Sequence, residues 1–140
     1  MHHIQSPRTC DASIEEEILA KGLTAPRVTP ADIEANIESC HYFTAAEGVL
    51  GAMVEELRRF APEKSVSTAP LSSMFSSPPG PLDLLTFCVL VLRNGFTVTG
   101  ESACASPENF DAEVGKKIAR ANAVNKIWPL MGYELKSRLA

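Results

Sequence analysis

The sequence predicts an α+β fold: N-terminal helices, a Ser/Pro-rich linker, then one β-hairpin (about 84–100) leading into a capped helix (about 107–128) and a short C-terminal helix. Three observations predict it. Apolar residues recur at helical spacing behind cap signals at Thr29 and Thr44. Asn94-Gly95 sits between two strand-like runs, as a tight hairpin requires. Ser106-Pro107-Glu108 then opens a stretch whose apolar residues again follow helical periodicity.

In chain order, Ser13-Ile14-Glu15-Glu16 has the form of a capping box, and Gly22 stands where a C′ glycine ends a helix. A short helix over 14–21 is therefore expected within an N-terminal extension (1–28). Thr29-Pro30-Ala31-Asp32 starts a second helix, with Thr as N-cap, Pro at N1 and an acid in the first turn. Ile33, Ile37 and Cys40 continue it as an apolar stripe. Thr44-Ala45-Ala46-Glu47 is a further capping box, followed by Val49, Leu50, Met53, Val54, Leu57 and Phe60 at helical spacing. The joint 41–44 reads equally as a kink, a strand or continuous helix, within a helical segment placed at 29–60.

Residues 61–81 hold five prolines and six serines, the composition of a flexible linker. Beyond it, the strand candidate 84–92 meets Phe96-Thr97-Val98-Thr99 across a two-residue type I′ turn, which pairs Leu92 with Thr97 and Val91 with Val98. The first strand is apolar on both faces, so cover on both sides is expected, from helices or a second subunit. In the next helix Ser106 is the N-cap, and Phe110, Val114, Ile118, Ala121, Asn125 and Trp128 form its apolar stripe. Pro129 is expected to stop it, leaving a short helix over 130–139. The hairpin-helix module (82–140) is expected to pack with 29–60 as one domain.

The 140 residues are 45% hydrophobic and 21% charged, enough for one globular unit and too few for two full-sized domains. A net charge of −4 argues against a protein dominated by contacts to the DNA backbone. That acidity lies in residues 1–81, with a net of −5, against +1 for 82–140. The longest apolar run, 87–92, is far short of the ~20 residues a membrane span needs, so no membrane partner is expected. Cys10, Cys40, Cys88 and Cys104 form no C-x-x-C, and His2, His3 and His41 complete no zinc spacing, so neither metal nor cofactor is expected. No secretory signal opens the chain, and free thiols in a reducing cytoplasm follow.

The candidate site is a polar pocket between hairpin and helix. Thr97, Thr99, Glu101, Asn109, Lys117, Arg120 and Asn125 would line it, open to a small polar ligand. Its structural alternative is that these residues are solvated or satisfied by backbone, with Asn125 bonding the hairpin. Cys104 beside Glu101, with a distant His41, is a candidate nucleophile. A buried thiol in the strand-to-helix turn explains Cys104 as well. Gly100 marks a bulge or a close backbone approach. No phosphate-loop motif occurs.

Residues 84–140 carry a longer signature: NGFTVTGES (94–102), ACASPENFD (103–111), GKKIARANAVNKIWPL (115–130) and a closing Gly132-Tyr133. Upstream, TPADIEANI (29–37) and HYFTAAEG (41–48) belong with it. These segments resemble a family of small tailed-phage proteins grouped around product forty-nine of coliphage N-four and product sixty-six of Shigella phage Sf-six. The resemblance implies a phage or prophage accessory protein acting in the host bacterial cytoplasm. It supplies no reaction and no catalytic residues.

Three functions are expected in descending order. The first is a non-enzymatic binder of a host protein or small host-derived signal, self-associating through the hairpin or the 45–60 helix. The second is a nucleic-acid regulator using Lys116, Lys117, Arg120 and Lys126, disfavoured because helical projection splits these cations. The third is a nucleotide-directed enzyme centred on Glu101 and Cys104.

Overall fold

The computed structural model describes residues 7–60 and 77–140, so most of the linker expected at 61–81 lies outside the described residues. The order is α1 (Pro7–Ala20), α2 (Pro30–Ala35), β1 (Ile37–Thr44), α3 (Ala45–Phe60), a 3₁₀ turn (Gly80–Leu84), β2 (Leu85–Leu92), β3 (Thr97–Ala103), a second 3₁₀ turn (Pro107–Asn109) and α4 (Ala112–Leu139). The strands form one antiparallel sheet in the order β1-β2-β3, with α4 across β2 and β3. The α+β class is thus as the sequence predicts.

Local chemistry explains most helix ends. The Thr29 hydroxyl accepts from the Asp32 amide, and the Asp32 carboxylate accepts from the Thr29 amide. Thr44 and Glu47 repeat the exchange at the start of α3, at 2.9 and 3.2 Å. At the end of α1, Gly22 N–H donates to Leu19 and Leu23 N–H to Ile18, closing a Schellman motif. Its beginning differs from expectation: α1 already runs from Pro7, so Ser13 lies inside the helix and is not its cap.

The segment 37–44 is a strand. Helix α2 ends at Ala35 with Asn36 as C-cap, which takes Ile37 and Cys40 off the expected helical stripe. Ile37-Glu38-Ser39-Cys40-His41-Tyr42-Phe43-Thr44 is rich in β-branched and aromatic residues, and it pairs with β2 from Thr86 to Leu92. This makes β2 the central strand, hydrogen-bonded to β1 along one edge and to β3 along the other.

The hairpin register also differs, by one residue. The loop has three residues, 93–95: Gly95 N–H donates to the Leu92 carbonyl, and Leu92 N–H donates to Phe96. Gly95 has φ +85°, the left-handed conformation that closes a type I turn with a bulge. Val98 therefore faces Leu90, and Thr97 faces Val91. The reason is burial, because a one-residue slip turns every side chain to the other face. The observed register puts Cys88, Leu90, Leu92, Val98 and Gly100 under α4 and leaves Thr97, Thr99 and Glu101 outside.

Helix α4 meets this face along Gly115, Ala119, Ala123 and Ile127. The expected stripe was out of phase, since Val114 and Ile118 are 51% and 47% exposed. Small residues win because the backbones nearly touch. A Cβ on Gly100 would stand 2.1 Å from the Ala119 oxygen and 2.3 Å from the Ala123 nitrogen. Of the two readings of Gly100, a bulge or a close backbone approach, the structure shows the close approach. Leu90, Ile127 and Ile33 are each 0–1% exposed, and each contributes about 1.5–3 kcal/mol by burial.

Two further boundaries move. Asp111, not Ser106, caps α4 by accepting from the Val114 amide at 3.0 Å; Ser106 precedes only the 3₁₀ turn and makes no side-chain cap. Pro129 lies inside α4, which continues to Leu139. The carbonyl freed by its missing N–H belongs to Asn125, on the exposed side where water can satisfy it, and Met131 packs against the core. The outer face of the sheet carries Phe43 stacked on Phe87 at 5.5 Å, with Val89 and Val91 half-buried. The two-sided cover expected for β2 is therefore asymmetric: α4 takes one face, and α3 reaches the Phe43 end of the other, where Gly48 meets the ring.

Candidate functional site

The register decides where the polar residues go. Thr97, Thr99 and Glu101 lie on the sheet face turned away from α4, with the Thr99 hydroxyl 3.5 Å from the Glu101 carboxylate. Asn109 is exposed in the second 3₁₀ turn, and Lys117 is exposed on α4. Arg120 points from α4 toward α2 and makes two bonds to Glu34, at 3.0 and 2.9 Å. Glu34 raises the already high proton affinity of this guanidinium further. The seven residues consequently line no common pocket, because α4 sits directly on the sheet where the pocket was expected. The backbone bond expected of Asn125 is made by Asn122, whose amide donates to the Glu101 carbonyl at 2.8 Å.

The expected Cys104 constellation is likewise spread out. The Cys104 thiol donates to the Ser106 carbonyl at 3.2 Å. His41 is on β1, two strands from Glu101, and bonds Ser39 at 3.0 Å. Cys88 lies 3.6 Å from Cys40 within the core, and burial pushes its thiol up to about 12. Burial also pushes the Tyr42 hydroxyl up to about 12, while the Lys116 ammonium sits 5.8 Å from the ring centre. No group of three or more potential metal ligands occurs among the described residues.

Concavity lies at the other side of the molecule, where α2, the hairpin loop and the end of α4 meet. A cleft of about 320 Å³ is lined by Arg27, Asp32, Asn36, Arg93, Glu134 and Arg138, with Val28, Ala35, Met131 and Leu135. Its walls are fixed by backbone chemistry: Arg93 N–H donates to the Asn36 carbonyl at 3.0 Å, pinning the hairpin loop to the α2 C-cap. Of the three guanidinium groups, Arg27 is committed to Glu15 by two bonds of 2.6 and 2.5 Å. This pairing holds the Glu15 carboxyl below its usual range. Arg138 is 3.9 Å from Glu134 and mostly exposed. Arg93 makes no ion pair among the described residues.

A second cleft of about 300 Å³ adjoins the first through Arg27 and Val28. Trp128, Asn125, Ile14 and Ile18 line it, so Asn125 is the one expected site residue that borders either cleft. Sequence reading missed the first cleft because its arginines stand at 27, 93 and 138. No spacing rule links such positions; the signal available was only that Arg93 flanks the turn signal Asn94-Gly95.

A model of the phage protein (N4 Gp49/phage Sf6 gene 66) family matches residues 28–139. No curated protein and no solved structure matches the chain. No helix among the described residues is long and apolar enough to cross a membrane.

Proposed function

Because this chain belongs to the phage protein (N4 Gp49/phage Sf6 gene 66) family, we propose that it acts in the host bacterial cytoplasm as a non-enzymatic binder of a small anionic molecule of the host. One observation carries the reading: the Arg93 guanidinium, which makes no ion pair among the described residues and sits on a loop anchored to Asn36, lines the same cleft as the loosely held Arg138. Guanidinium forks match carboxylate and phosphate oxygens two at a time. Asp32 and Glu134 on the same walls favour a ligand that also offers hydrogen-bond donors. Two of the four cations a nucleic-acid reading would use are already engaged, Arg120 by Glu34 and Lys116 by Glu113, which favours this reading over nucleic-acid binding.

The test is capture. The purified protein is incubated with the deproteinised small-molecule fraction of host cells, freed of unbound solutes by gel filtration, and denatured. Released compounds are then identified by mass spectrometry. An anionic compound retained by the wild type and lost at least tenfold in Arg93→Ala is expected, in line with the ~1.5–3 kcal/mol of a hydrogen bond to a charged group. Retention of nothing, or equal retention by Arg93→Ala, refutes the assignment.

A further inference from the structure

Strand β3 is an edge strand, with no strand beyond it among the described residues. Its hydrogen-bonding phase follows from Leu92 N–H donating to Phe96: Val98, Gly100 and Ser102 turn their backbone groups toward β2. The N–H and C=O groups of Thr97, Thr99, Glu101 and Ala103 therefore point outward, and the Asn122 amide bonds the Glu101 carbonyl from that side. Natural edges are commonly protected by Lys, Pro, a bulge or an inward-pointing charge. The edge from Thr97 to Glu101 has none of these, and its charge, Glu101, lies on the open face.

From this edge and the helix beside it, we propose that β3 pairs with β3 of a second copy of the chain about a two-fold axis at Thr99, joining two three-stranded sheets into one of six strands. Thr99 then exchanges backbone bonds with Thr99 of the second copy, and Thr97 does so with Glu101. The Glu101 carbonyl can take the second donor because it has two lone pairs.

Helix α4 provides an independent check on fit. It lies over β2 and β3, and strands are spaced by about 4.8 Å. A helix above the midline of β2 and β3 stands about one strand spacing from the axis, which puts the two copies of α4 about 10 Å apart, a normal helix-packing distance. The flank of α4 that faces the edge carries Val114, Ile118, Asn122, Lys126 and Leu130, as the Asn122–Glu101 bond shows. With α4 antiparallel to β3, the axis passes near Asn122. Val114 then meets Leu130 of the second copy, Ile118 meets the aliphatic stem of Lys126, and no like charges oppose. Val114, Ile118 and Leu130 are 51%, 47% and 40% exposed in the single chain, and this pairing covers all three.

Light scattering on the eluting full-length chain tests the proposal. The wild type at about 100 µM is expected at twice the 15.1 kDa chain mass. Thr99→Pro removes one outward N–H while keeping the β2 pairs of Val98 and Gly100, a position where edge strands accept proline. Val114→Asp places a charge in the interface at the first turn of α4, where acids favour the helix. Each variant is expected to raise the dissociation constant at least tenfold and to elute as a folded monomer by circular dichroism. If Thr99→Pro fails to fold, Val114→Asp decides. A wild type at the single-chain mass overturns the proposal, as does a dimer that a folded variant leaves intact, since association would then use another surface such as the Phe43–Phe87 face.

Discussion

Replacing Gly100 with alanine probes the contact on which the fold turns. The added Cβ would lie 2.1 Å from the Ala119 carbonyl oxygen and 2.3 Å from the Ala123 nitrogen, and both are backbone atoms of a helix. Neither can swing aside as the end of a side chain would. Reaching ordinary contact near 3.4 Å requires α4 and β3 to separate by about 1.3 Å, and a gap of even 0.5–1 Å forfeits a quarter to a half of the dispersion attraction along the seam. That seam includes Cys88, Leu90, Val98, Ala119, Ala123 and Ile127. Overpacking a core costs ~1–3 kcal/mol where side chains can give, so about 3 kcal/mol or more is expected here, a large part of a total near 5–15 kcal/mol. The assays are urea unfolding, for the free energy, and thermal unfolding, with Tm falling by about 10 °C, both followed by circular dichroism. Gly51→Ala is the control: it sits in α3 with nothing within 4 Å of the new Cβ and should be neutral or stabilise by up to ~1 kcal/mol. A Gly100→Ala protein within 1 kcal/mol of wild type would refute the close-approach argument.

Two further predictions rest on titrating groups. The Thr29 backbone N–H bond holds the Asp32 carboxyl below its ordinary 3.8, so the folded pKa is lower than the unfolded one. The stabilisation is then fully present above about pH 5 and disappears as pH falls through the folded value. The urea midpoint of wild type should exceed that of Asp32→Asn at pH 6, and the difference should shrink by pH 3; a difference independent of pH would remove the cap from the account. Because burial pushes the Cys88 thiol from 9.0 to about 12, its thiolate fraction at neutral pH falls about 1000-fold. Iodoacetamide at pH 7.5 followed by peptide mass mapping should leave Cys88 unmodified in the folded chain and modify it in urea. Rapid modification without urea would contradict its burial.

Comparing sequence with structure shows which kinds of information travel along the chain. The caps at Thr29 and Thr44, the turn at Asn94-Gly95 and the reason for Gly100 were legible because each depends on residues a few positions apart. The candidate site was not. Thr97, Thr99 and Glu101 were assigned to the helix-facing side, and a one-residue change of loop length turned them outward. Strand β1 was hidden because Ile33, Ile37 and Cys40 mimic a helical stripe; the β-branched and aromatic run that ends on the helix cap Thr44 was the contrary signal.

What the sequence determined by itself is local chemistry and kinship: where α2 and α3 begin, where the chain turns, and the family signature that runs from 28 to 139. What only the tertiary structure decided is which face is inside. Burial against α4 selected the hairpin register, and small residues at 115, 119 and 123 set the helix phase. Packing beyond Pro129 carried α4 through a residue that would end an isolated helix. The same non-local folding brought Arg27, Arg93 and Arg138 to one cleft and placed β3 at an edge of the sheet. Caps and turns are satisfied by neighbours in sequence, whereas burial is a property of the assembled layers, and no segment can settle it alone.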